Sequence, residues 1–245
     1  RGDIIFENVS FDYDETDGFE EYALKDVNLH IKEGEFVGII GATGSGKSTL
    51  VNLIPRFYDP TSGKVLLDGM DIRNYNEATL RKNISIVLQS ATLFSGTVKS
   101  NIVQGDLDAV EDDITRAAKI AQAKEFIDRL PENYESIVYQ RGNNLSGGQK
   151  QRISIARGLV GNPKVLILDD STSALDAKSE SLVKRALNRE LKNTTTIMVA
   201  QKISSIIDAD KIVLIDQGQI LAVGSHEELM NTSVHYKNIY NTQLG

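Results

Sequence analysis

The sequence predicts an α/β protein on three observations. Short β-rich runs alternate with helix-patterned segments, several of the runs are apolar throughout, and a glycine-rich loop joins one of them to a helix. Taken in order, the β-rich runs are Ile4 to Val9, Val27 to Ile31, Phe36 to Ile40, Lys64 to Leu67, Ile84 to Leu88, Val165 to Leu168, Thr195 to Val199, Lys211 to Ile215 and Gln219 to Val223. The runs Phe36 to Ile40, Val165 to Leu168 and Thr196 to Val199 are continuous, the pattern of parallel strands covered on both faces. Gly2 to Ile31 instead reads as antiparallel runs joined by an acidic loop, which predicts a small antiparallel β layer ahead of the first parallel strand. Between Ser90 and Leu159 the strand signal almost vanishes. There Ile114, Ala117, Ala118, Ala121, Phe126, Ile127 and Leu130 fall at helical spacing across Val110 to Leu130, so a helical insert is expected. The expected organisation is one domain over 1–245, with 1–89 and 160–245 as a parallel-sheet core plus β layer and 90–159 as a helical subdomain.

At 245 residues, 40% hydrophobic and 25% charged, the chain can bury a sizeable core, which excludes the disordered and fibrous classes. Its longest uncharged stretch, Asn83 to Val98, is laced with Ser, Thr, Gln and Asn and cannot span a bilayer. Zero cysteines exclude a disulfide framework and a thiolate zinc site. The net charge of −7 argues against nucleic acid as the main partner. Asp12 to Glu21 holds six acids and no base, and without them the −7 becomes −1. The chain begins at Arg1 rather than Met, which is expected of a piece of a longer polypeptide.

The chemistry starts at Gly41-Ala42-Thr43-Gly44-Ser45-Gly46-Lys47-Ser48-Thr49, a G-x-x-x-x-G-K-[ST] loop between an apolar strand and a helical run from Thr49 to Ile54. Successive backbone N–H groups and a helix N-terminus meet the charge of a triphosphate, and glycine lets the backbone come close. Lys47 is expected on the β and γ phosphates and the Ser48 hydroxyl on Mg²⁺. Val165 to Leu168 runs into Asp169 and Asp170 at the carboxyl end of a strand, where open α/β sheets bind ligands. Asp169 suits Mg²⁺, and Asp170 suits the orientation or deprotonation of an attacking water. Leu145-Ser146-Gly147-Gly148-Gln149, followed by Lys150-Gln151-Arg152 and a helical run, is a second small-residue turn at a helix N-terminus and so a second anion site.

That third motif resembles the signature of ATP-binding cassette (ABC) ATPases, and with the other two the resemblance covers essentially the whole chain. It implies an ABC-type P-loop fold and a head-to-tail dimer in which the signature of one cassette covers the γ-phosphate held by the other. It also implies that Tyr13 stacks on adenine, with Tyr22 as the rival, and that Gln89 is the Q-loop glutamine, near Mg²⁺ and the lytic water. Ser173, Ala174, Leu175 and Asp176 correspond to the D-loop. Leu93-Phe94-Ser95-Gly96-Thr97-Val98, with Asn101-Ile102, is similar to the exporter segment that contacts transmembrane helices. Gly2 to Phe11 likewise resembles the start of an exporter cassette after its membrane domain. The implied setting is the cytoplasmic face of a membrane, with transmembrane domains reached through the Q-loop and the helical subdomain.

Three positions depart from the family pattern. Asp170 stands where active cassettes have glutamate, Gln201 where they have the switch histidine, and Gln140 where exporters have a glutamate upstream of the signature. Aspartate loses one methylene, about 1.5 Å of reach. Glutamine donates a hydrogen bond but cannot carry the proton of histidine. Ala42, where exporters often have proline, is read as neutral. The phosphate loop and the signature are unbroken, so the expectation is a heterodimer. This chain would bind Mg·ATP at a degenerate, slowly hydrolysing site and lend its signature to a partner with the Glu and His intact. Rival readings are a homodimeric exporter cassette with slow hydrolysis, a cassette ATPase outside transport, an importer subunit, and a module that uses ATP only as a dimer ligand.

Overall fold

The computed structural model describes residues 1–13 and 22–245; most of the acidic loop, residues 14–21, lies outside the described residues. From the N-terminus come β1 (Ile4–Phe11), β2 (Leu24–Ile31), β3 (Phe36–Ile40), α1 (Lys47–Asn52), β4 (Ser62–Leu67), β5 (Met70–Asp71) and α2 (Glu77–Asn83). Then follow β6 (Ile84–Val87), β7 (Gly96–Thr97), α3 (Val98–Val103), α4 (Glu111–Ile120), α5 (Lys124–Asp128), β8 (Ile137–Val138), α6 (Gly147–Leu159), β9 (Val165–Asp169) and α7 (Ala177–Glu190). The last elements are β10 (Thr195–Val199), β11 (Lys211–Asp216), β12 (Gln219–Gly224), α8 (His226–Thr232) and α9 (Val234–Leu244). These strands and helices divide into two compact units, 1–84 with 193–245 and 85–192.

In the first unit β3 lies between β10 and β11 and is parallel to both, with Ile197 opposite Val37 on one side and Ile212 opposite Gly38 on the other. All five residues of β3 and of β10 are buried, as their continuous apolar runs require. β12 returns antiparallel to β11. The expected β layer is present, and it recruits more than Gly2 to Ile31: its order is β2-β1-β4-β5. Phe11 pairs with Leu24, and the Ala23 N–H donates to the Phe11 carbonyl at 2.8 Å, so the ends of β1 and β2 are held together.

The second unit is mainly helical and also contains the apolar strand β9, whose first four residues are buried. The helical spacing across Val110 to Leu130 is realised as two helices, α4 and α5. Gln122 has φ of 60°, in the left-handed region, which stops α4 before α5 begins. β7 and β8 pair antiparallel inside the stretch where no strand is expected, with two residues each. No helix among the described residues is long and apolar enough to cross a membrane.

Candidate functional site

In the first unit β3 delivers the chain to Gly41, where geometry forbids a side chain. A Cβ there would meet the Ile215 carbonyl at 2.3 Å and Ser45 Oγ at 2.7 Å. Gly46, at φ of 108°, is the N-cap of α1, and its Cβ would lie 2.8 Å from the Ala23 carbonyl. The loop is braced from outside: the Gly218 N–H, in the β11–β12 turn, donates to the Ser45 carbonyl at 2.8 Å. Inside it, the Lys47 ammonium donates to the carbonyls of Gly41 and Ala42. Ser45 is 4% exposed and its hydroxyl has no hydrogen-bond partner among the described residues. α1 has no side-chain cap. A glycine-lined cradle, a buried orphan hydroxyl and a lysine on the loop's own carbonyls are the features of a nest prepared for phosphate.

Tyr13 joins this loop. Its hydroxyl lies 2.7 Å from Thr49 Oγ1 on α1, and its half-exposed ring meets Phe11 and Tyr58 edge-on at 4.7 and 5.4 Å. The rival Tyr22 is half-buried beyond residues 14–21. Gln201, exposed after β10, is held through its backbone. Gln243 on α9 donates from Nε2 to the Gln201 carbonyl at 2.8 Å and accepts from the Ile203 N–H at 2.8 Å.

In the second unit β9 ends at Asp169, and Asp170 follows at φ of 53°, a backbone region that aspartate tolerates better than most residues. Gln89 is exposed after β6. Ser146 caps α6: its hydroxyl accepts from the Gln149 N–H at 3.2 Å while the Ser146 N–H donates to Gln149 Oε1 at 3.0 Å, a complete capping box. Leu145 is buried beside it, and a Cβ on Gly147 would meet Ala174 Cβ at 3.5 Å, so the signature turn lies against the D-loop. Asp176 ends that loop as N-cap of α7, accepting from the Ser179 N–H at 2.7 Å. Hydrogen bonds from the Ser179 backbone and hydroxyl hold its carboxyl below the usual range. Gln140 lies in a short exposed turn whose next residue, Arg141, has φ of 58°.

The first unit thus brings Tyr13, the phosphate loop and the Gln201 position into one body. The second holds Gln89, the signature, Asp169, Asp170 and Ser173 to Asp176. Among the described residues no cluster of His, Cys, Asp or Glu could hold a metal by itself. Ser48 in the first unit, and Gln89 and Asp169 in the second, each offer oxygen, the donor type that suits a hard cation such as Mg²⁺.

Sequence reasoning missed Gln243 and three residues of α6. Arg152 donates to the Gly148 and Gln122 carbonyls, bracing the corner between α4 and α5, and burial pushes its pKa down. Arg157 donates to the Thr92 and Asn101 carbonyls and lies over the Phe94 ring at 5.6 Å. Gln151 is 4% exposed and bonds to two loops. The available signal was a glutamine and two arginines spaced through the run after the signature, read only as the tail of the motif.

A family model described as ABC transporter matches residues 24–173. The chain is 49% identical over 243 residues to YgaD of Bacillus subtilis (strain 168), a protein named for multidrug export as an ATP-binding/permease protein. A Staphylococcus aureus (strain NCTC 8325) protein with the same descriptive name is 48% identical. Both alignments cover 99% of this chain and 41% and 42% of those relatives, so the chain spans about two fifths of their length. A solved bacterial Atm1-family ABC exporter with ATP bound superposes with a TM-score of 0.94 at 38% identity, covering 100% of this chain and 42% of that one.

Proposed function

The chain belongs to the ABC transporter family, and from that premise we propose that it is the ATP-binding cassette of a multidrug-type exporter, working at the cytoplasmic face of a membrane. Residues 1–89 and 160–245 would form the nucleotide-binding core and 90–159 the helical subdomain that meets the transmembrane domains. The observation that carries the reading is the phosphate loop, with Lys47 on the Gly41 and Ala42 carbonyls and the Ser45 hydroxyl buried without a partner among the described residues. In this reading Lys47 moves from those carbonyls to the β and γ phosphates, the loop N–H groups hold the remaining oxygens, and the Tyr13 ring supports the base. Ser48, Gln89 and Asp169 would hold Mg²⁺, which would supply charge neutralisation at the phosphates.

We further infer that this cassette contributes the slow site of a heterodimer. Asp170 and Gln201 replace the two groups that position and respond to the lytic water, and a displacement of about an ångström costs about 10²-fold in rate. Gln140 weakens the cross-cassette contact of an exporter in the same direction. The signature, by contrast, is complete in sequence, and Ser146 at the N-cap of α6 would serve the partner's nucleotide. The test compares Mg·ATP binding with turnover, for the chain alone and mixed with a partner cassette that has Glu and His at the two positions. Binding with little turnover alone, and turnover on mixing, is expected. Turnover by the chain alone at about 1–10³ s⁻¹ would overturn the slow-site reading and favour a homodimer. Asp170→Glu combined with Gln201→His should raise hydrolysis at this site in the pair.

A further inference from the structure

Gln151 stands in the second turn of α6, the helix that Ser146 caps. Its amide has one orientation that its neighbours accept. Oε1 takes the Ala174 N–H at 2.8 Å, while Nε2 donates to the Gln89 carbonyl at 3.3 Å and to Ser173 Oγ at 3.2 Å. Exchanging the two ends would set an N–H against an N–H and an oxygen against a carbonyl. At 4% exposure the side chain has little water to replace a lost partner, so each bond is costly to break.

These partners belong to different ATP sites. On the cassette reading above, on which this inference rests, Gln89 faces the nucleotide held by this chain. The signature turn, Ser173 and Ala174 face the nucleotide held by the partner. We propose that Gln151 is a positioning residue that couples the two composite ATP sites through a single chain. It touches neither nucleotide. It fixes the spacing between the Gln89 backbone and the Ser173–Ala174 turn and ties both to α6, so a displacement of the Q-loop moves the groups offered to the other site.

Two substitutions separate the links. Gln151→Glu keeps the shape and the acceptor for Ala174, and the Ser173 hydroxyl can turn to donate to it, but it sets an oxygen against the Gln89 carbonyl. Gln151→Met removes both links. In hydrogen exchange of the chain without nucleotide, the peptide covering 89–94 should exchange about tenfold faster in both variants. The peptide covering 171–176 should keep its rate in Gln151→Glu and speed up only in Gln151→Met. In the assembled transporter, Gln151→Glu should lower kcat about tenfold or more while KM for ATP stays within about twofold. ATP affinity of the chain alone should not change, because none of Gln89, Ser173 and Ala174 belongs to the phosphate loop.

Unchanged exchange over 89–94 in Gln151→Glu would overturn the proposal, as would wild-type kcat in both variants. A joint loss of kcat, ATP affinity and melting temperature would make Gln151 merely structural and overturn it equally. A wild-type chain that fails to bind ATP would instead sink the cassette reading, and the exchange pattern would still decide whether Gln151 joins the two loops.

Discussion

Two small-residue turns stand at helix N-termini in this chain, and they are finished differently. The phosphate loop leaves α1 without a side-chain cap, buries the Ser45 hydroxyl with no partner among the described residues and lends its carbonyls to Lys47. The Ser146 turn closes on itself, with both bonds of a capping box made inside one chain. A nest with an unsatisfied donor is prepared to bind an anion alone. The capping box occupies only the Ser146 and Gln149 N–H groups, so this turn is partly bonded to itself and gains less from a free anion than the open nest does, which suits an anion fixed in place by another molecule. The contrast fits a dimer in which each cassette holds nucleotide in its loop and completes the other's site with its turn.

The sharpest way to break the contrast is Lys47→Ala. It removes the only side-chain cation of the loop, and charge-assisted bonds of this kind contribute about 1.5–3 kcal/mol, so ATP affinity should fall about 10- to 150-fold in a calorimetric titration. A loss of less than about threefold would mean that the loop does not depend on its lysine. Ser146→Asp tests the other turn. Aspartate caps as well as serine, so the melting temperature should hold, but its charge opposes a phosphate, so turnover of the mixed pair should collapse while ATP binding by the chain alone persists. Ser146→Ala should cost about 1 kcal/mol and lower the melting temperature by about 2–4 °C. The smallest effect is expected from Tyr13→Phe, which keeps the ring and loses only the bond to Thr49. ATP affinity should fall by no more than about fivefold, the worth of one neutral hydrogen bond, and a larger loss would make that hydroxyl part of the phosphate loop.

The legible parts of this molecule are those where local chemistry leaves one solution. Phe36–Ile40 and Thr195–Val199 have the bounds their β-rich runs predict, because strands buried on both faces exclude charge and accept a polar group such as the Thr195 hydroxyl only when it is bonded, here to the Gly2 carbonyl. Gly41 and Gly46 were legible because only glycine fits the loop. Gln122 was not, since nothing about a glutamine announces the positive φ that divides the helical stretch over Val110 to Leu130 into α4 and α5. β7 and β8, with two residues each, are too short to carry a period. The partners of Gln151 and Gln243 lie 22 to 62 residues away in sequence, at distances that no local pattern reaches.

The bond pair between Gln243 and the Gln201 loop has a practical side. α9 works there as a splint, with one amide gripping a carbonyl and an N–H two residues apart. Engineering at that end of the fold is therefore not neutral ground: an affinity handle or a fluorescent fusion that unwinds the final turn would loosen the segment carrying Gln201. Rates measured on such a protein would report the handle as well as the chain itself.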